Sequence, residues 1–200
     1  MSSILAILQP SRPTIADSFY NRAVPGTLTR EVVTIVSGSL VVAACAQVAI
    51  PLRFTPVPIT GQTLGVLLVG MSLGSRRGIV AMMLYLLEGA IGLPVFAGGA
   101  LGLAKLFGPT AGYLWSYPVA AGLVGWLSQR GWDKNPIPTF GANILGSIVI
   151  LFMGCGWLSL FVDGLNRAFL LGVTPFLLGD IIKAAAVGAL LPIAWKIVRK

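Results

Sequence analysis

The sequence predicts an all-α integral membrane protein: a six-transmembrane-helix bundle with an outward-facing ligand pocket capped by loops. Three observations carry that expectation. Hydrophobic residues fill 56% of the 200 positions and charged residues only 10%, with a mean hydropathy of +0.90, far to the apolar side of soluble domains. The apolar residues fall into six stretches, two of them short enough that five spans is the alternative count. The cations are distributed unevenly between the intervening loops. With the amino terminus inside, ten of the 14 Lys and Arg fall on the cytoplasmic side: Arg12, Arg22, Arg30, Arg76, Arg77, Arg130, Lys134, Lys196, Arg199 and Lys200. Arg53, Lys105 and Arg167 fall outside and Lys183 within the membrane, a positive-inside pattern that puts both termini in the cytoplasm. The net charge of +8 is therefore read as topology, and nucleic acid is not expected as a partner.

Residues 1–29 read as a basic cytoplasmic arm, and residues 30–200 as the six-helix membrane domain. Pro10, Pro13 and Pro25 interrupt any helix in the arm, which either lies on the anionic leaflet or extends freely. It has no continuous apolar core, so no cleavable signal peptide is expected. The first span covers about Glu31 to Ile50. Small residues recur along it, and such rows let another helix approach closely. Ser39, Ala43 and Ala46 are candidates for docking a separate membrane subunit, the alternative being packing within the chain.

Residues 51–60 hold Pro51, Pro56 and Pro58, so they form a stiff, non-helical apolar loop. Such backbone is tolerated at a membrane only where protein or a cavity covers it, which suits a lid. The second span, Gly61 to Leu73, opens with Gln62 and Thr63. A tight loop, Gly74 to Gly78, leads to a third span from Ile79 to about Leu87. The glycine-peppered stretch 89–102 reads as a broken or re-entrant segment. A fourth span continues to Leu127 after Pro109, and a polar connection 128–138 precedes the fifth, Thr139 to Phe161. Residues 162–173 are expected to be a loop with Asp163 and Arg167. The sixth span runs from Thr174 to about Ile197.

That last span carries Asp180 and Lys183. Three residues apart on a helix, they share one face. A charge at such depth costs roughly 2.5–3.5 kcal/mol on insertion scales. They either neutralise each other as a structural pair or face a polar ligand inside the bundle. Asp180 would lie about 9 Å below the outer face, beneath the two unusual loops. Histidine is absent and the two cysteines, Cys45 and Cys155, show no metal-ligand spacing. No metal or cofactor is expected, and the chain is not expected to be an enzyme. No ATP-binding loop is present either, so uphill transport would need a partner.

Five segments resemble the BioY family: Ile50-Pro-Leu-Arg-Phe-Thr-Pro-Val-Pro-Ile-Thr-Gly-Gln-Thr-Leu64, Tyr85-Leu-Leu-Glu-Gly89, Gly92-Leu-Pro-Val-Phe-Ala-Gly-Gly99, Gly108-Pro-Thr-Ala-Gly-Tyr113 and Gly179-Asp-Ile-Ile-Lys183. That family comprises the biotin-specific substrate-binding (S) components of energy-coupling factor (ECF) transporters, and the resemblance covers about residues 30–198. This chain departs from its pattern in having Arg53 and Gly61. The resemblance implies a membrane S component that takes biotin from outside. It implies ligand contacts from Asp180 and Lys183, a pocket and lid formed with Thr60 and Gln62, and a ring pocket lined by Phe96, Ala97, Gly98 and Gly99. Tyr85 and Tyr113 become candidate walls, and Arg53 or Lys105 candidates for the biotin carboxylate. The implied partners are an ECF transmembrane coupling subunit, two ATP-binding subunits and membrane lipid. Competing readings are an S component for another vitamin, a membrane assembly subunit without a ligand, and a membrane enzyme.

Overall fold

Proline and glycine decide where the helices break. The computed structural model describes residues 13–18 and 27–198. Helix α1, Thr27–Ala46, begins and ends four residues earlier than expected. It ends there because Ala49–Ile50 (β1) pairs antiparallel with Ile59–Thr60 (β2), Ala49 opposite Thr60 and Ile50 opposite Ile59. Pro51, Pro56 and Pro58 lie in the hairpin's loop, outside the ladder, where a missing N–H costs no sheet hydrogen bond. Helix α2, Gln62–Leu73, is separated from α3, Ser75–Ala90, by Gly74 alone. Gly74 has φ 83°, which favours a residue without Cβ. The expected five-residue loop thus shrinks to one residue, and Arg76 and Arg77 lie in the first turn of α3.

Residues 91–110 are irregular, with two 3₁₀ turns at Ala97–Gly99 and Leu103–Leu106. Helices α4, Ala111–Gln129, and α5, Pro136–Leu158, follow, then α6, Gly164–Gly172, and α7, Leu177–Val198. Helix α6 corrects the expected loop at 162–173. Its two charges made the stretch look like a connection, yet Asp163 and Arg167 pair at 2.8 Å with helical spacing. Ala168 and Gly172 face inward while Leu165 and Phe169 face outward. Three stretches, Leu28–Ala46, Pro136–Leu158 and Gly164–Ile197, are long and apolar enough to cross a membrane.

Helix α4 packs against α2, α3 and α5. A Cβ on Gly70 of α2 would sit 2.8 Å from the Ala121 Cα of α4, so these two backbones touch, as small residues allow between membrane helices. One core cluster, including Val66, Met82, Tyr85 and Ile150, runs from Phe96 and Val57 near the hairpin to Leu73 and Ala16 near the Gly74 turn. A second comprises Leu67, Met71, Val124, Leu127, Ala142, Val187 and Leu191. In lipid this packing holds through close contact rather than release of water.

The small-residue row of α1 faces inward. Ser39, Ala43 and Ala46 are buried against the chain's own helices, and Ser39 Oγ donates to Glu88 Oε1 at 3.0 Å. The expected docking stripe is corrected: these residues seat α1 on α2 and α3, its main helical neighbours among the described residues. Cys45 and Cys155 are free thiols, half-buried. Of the basic arm, residues 1–12 and 19–26 lie outside the described residues, as do Arg12, Arg22, Arg199 and Lys200. Residues 13–18 do not extend freely. The Thr14 amide donates to Asp17 Oδ2 at 2.9 Å and the Asp17 amide to Thr14 Oγ1 at 3.1 Å, a reciprocal cap. Arg77 bridges Asp17 and Glu31, tying this turn to α1 and α3. Burial works to raise the Asp17 pKa, but the Thr14 amide and the Arg77 guanidinium together hold it below the usual value.

Candidate functional site

Asp180 stands in the first turn of α7, where the helix dipole favours a negative charge. One turn on, Lys183 points to the same face. Asp180 Oδ1 lies 3.4 Å from Lys183 Nζ, which is closer still to Thr63 Oγ1, at 2.8 Å. Asp180 Oδ2 is buried and has no hydrogen-bond partner among the described residues. An ionised carboxylate left half-satisfied in a dry interior is costly, so this oxygen is an open acceptor. Thr63 was visible at the start of the second span, but no spacing rule joins it to a residue 120 positions away.

This pair borders a cavity of about 560 Å³ at the hairpin end of the bundle. The sequence-picked residues Thr60, Gln62, Phe96, Ala97, Tyr113, Asp180 and Lys183 all line it, and Lys105 does too. So do Tyr117, Ile150, Leu151 and Phe176, which in the sequence are ordinary span residues. Their signal is weak because apolar side chains lining a cavity and filling a core look alike in a sequence. The walls are thus largely apolar, with a few polar groups that include Thr63 and Lys183 beside Asp180, the usual character of a small-molecule site.

The hairpin loop roofs the cavity with Pro51, Leu52 and Pro56. Thr55 clips it to α6 by donating from Oγ1 to Leu171 O at 2.9 Å. Tyr113 donates to the adjacent Gly172 O at 2.7 Å, so cavity wall and roof fasten to the same end of α6. Phe96 is brought to the wall by a groove at Gly89, where a Cβ would collide with its ring.

Four candidates lie elsewhere. Arg53 is exposed on the hairpin loop and does not line the cavity. Gly98 and Gly99 are also absent from the lining. Their φ values are 62° and 80°, so the turn itself favours glycine there. Tyr85 is buried behind the wall, its ring 5.6 Å from that of Phe96 and nearly perpendicular to it.

Comparison with known proteins gives one answer. A family model described as the BioY family matches residues 15–200. A biotin transporter, BioY2, of Lactococcus lactis subsp. cremoris is 43% identical over 151 residues, covering 75% of this chain and 81% of the relative. A biotin transporter BioY of Rhizobium etli is 41% identical over 172 residues, covering 82% and 91%. A probable biotin transporter BioY of Pyrococcus horikoshii is 40% identical over 140 residues, covering 70% and 80%. Among solved structures, the S-component for biotin from an ECF-type ABC transporter superposes with a TM-score of 0.75 at 26% identity, covering 86% of this chain and 92% of that one.

Proposed function

The chain belongs to the BioY family, and from that premise we propose that it is the biotin-binding S component of an ECF transporter. It takes up biotin across the cytoplasmic membrane and is not an enzyme. The single observation that carries the reading is the cavity bordered by buried Asp180 and half-buried Lys183, the lysine braced by Thr63.

The chemistry of biotin matches the lining. Its ureido group offers N–H donors to the open Asp180 oxygen and a carbonyl to the Lys183 ammonium. Its thioether ring suits the apolar walls at Phe96, Tyr113 and Tyr117, with Thr60, Gln62 and Ala97 completing the pocket. Its carboxylate tail reaches toward the Lys105 side of the cavity. Helices α1 to α5 and α7 make six spans, with α6 as a surface helix between the last two. The uneven distribution of cations supports cytoplasmic termini and a cavity open to the exterior. The hairpin is then an outer lid. Lacking a nucleotide-binding loop, the chain depends on a transmembrane coupling subunit and two ATP-binding subunits for energy, all within the lipid bilayer.

Equilibrium binding to the purified, detergent-solubilised protein tests this. Biotin is expected to bind tightly, riboflavin and thiamine not at all. A folded sample that ignores biotin but takes another vitamin would make the chain an S component of different specificity, and one that takes none would leave an assembly role.

A further inference from the structure

Tyr85 does not line the cavity, yet its hydroxyl joins Gln62, which does, to the backbone of Val95, just before the lining residue Phe96. The hydroxyl donates to Val95 O at 2.9 Å and stands 2.6 Å from the Gln62 side-chain amide. A phenol has one proton, and a carbonyl oxygen can only accept. With that proton committed to Val95 O, the hydroxyl can only accept from Gln62, so the Gln62 atom facing it is the N–H-bearing Nε2. The amide oxygen is thereby turned toward Thr60, whose hydroxyl donates to Gln62 Oε1 at 3.2 Å while accepting the Gln62 backbone N–H at 3.3 Å. Every bond in the relay has a fixed direction, from Thr60 to Gln62 to Tyr85 to Val95. It runs from the lid hairpin, across α2 and α3, to the loop that carries Phe96.

The relay leaves Gln62 one N–H and one oxygen lone pair, in fixed places beside the cavity. Resting on the reading of this cavity as the biotin site, we infer that Tyr85 is a positioning residue: it sets the orientation of the Gln62 amide, and with it the donor and acceptor pattern offered to the ligand. A ureido ring, with two N–H groups flanking one carbonyl, distinguishes a correctly turned amide from a flipped one. Without the Tyr85 hydroxyl, Val95 O loses its donor and nothing forbids the flip. The Tyr85–Phe96 ring contact, by contrast, needs no hydroxyl.

A double-mutant cycle on biotin affinity tests this, using Tyr85→Phe, Gln62→Ala and the pair together. Tyr85→Phe keeps the ring and is expected to weaken biotin about tenfold, the scale of a lost buried hydrogen bond with its partner stranded. In the Gln62→Ala background the same change is expected to cost nothing further, because the residue it orients is gone. Additive effects would overturn the inference and leave Tyr85 a packing residue, as would wild-type affinity in Tyr85→Phe. Failure of the unsubstituted protein to bind biotin would instead overturn the ligand assignment. Thermal unfolding of each variant separates loss of fold from loss of orientation.

Discussion

Asp180 holds Lys183 loosely: their charged groups are 3.4 Å apart, while Lys183 is drawn to Thr63 at 2.8 Å. A pair serving only to neutralise charge would close to optimal distance and satisfy both carboxylate oxygens. Here one oxygen stays open. Asp180→Asn is expected to lower biotin affinity about 10- to 100-fold, the range for hydrogen bonds to charged groups, with little change in unfolding temperature. Equilibrium binding and thermal unfolding in detergent check both halves. Unchanged affinity with a lowered unfolding temperature would make the pair structural.

The roof is fastened to α6 by Thr55 Oγ1 on Leu171 O. Thr55→Val keeps the shape and removes this donor, and with it the acceptor of the Val57 amide at 3.2 Å. The bond contributes about 1 kcal/mol net, so biotin association and release are both expected to speed up about fivefold. On the proposal that the hairpin is the lid, one barrier stands in both directions, so the dissociation constant should move less than either rate. Stopped-flow binding would show this, and unaltered rates would exclude the clip as a gate.

Gly89 is the groove for Phe96. Gly89→Ala puts a methyl into the ring's volume, and overpacking of this kind costs about 1–3 kcal/mol. Loss of stability and of biotin binding are expected together, since the ring must leave the cavity wall. Gly156→Ala in α5 is the control. Apart from its own helix backbone and chain neighbours, no atom of the described residues lies within 4 Å of its added Cβ, so helix propensity alone should act, in the stabilising direction.

The turn at 13–18 predicts a pH dependence. Folding lowers the Asp17 pKa despite its burial, through the Thr14 amide and Arg77. The folded state therefore keeps Asp17 ionised where the unfolded chain would protonate it. Its contribution is complete above about pH 4 and is lost as pH falls through the lowered value. Asp17→Asn should unfold about 2 °C below wild type at neutral pH, and the gap should close in strong acid. A gap that persists there would mean the carboxylate charge is not what Arg77 recognises.

Much of the site could be read from residue type alone. An Asp and a Lys at helical spacing in an apolar stretch have few uses, and Gln62 opening a span directly after a proline loop is similarly informative. Thr63, Tyr117, Ile150 and Phe176 could not be read in that way, because what makes them lining residues is the packing of α2, α4, α5 and the approach to α7. Arg53, Gly98 and Gly99 show the converse: they lie in segments that form the roof and wall, yet they are not among the residues lining the cavity.

Local chemistry determined the apolar helices, the non-helical proline loop, the glycine turn at Gly74 and the facing of Asp180 with Lys183, since each depends on neighbours a few residues away. Only the tertiary structure decided that Ser39, Ala43 and Ala46 face inward, that 162–173 coils into α6, and that Tyr85 stands behind the wall holding Gln62. Helical periodicity shows that a face exists. Which partner covers it depends on how distant segments pack, and in a chain apolar on nearly every side the sequence pattern does not distinguish lipid from protein.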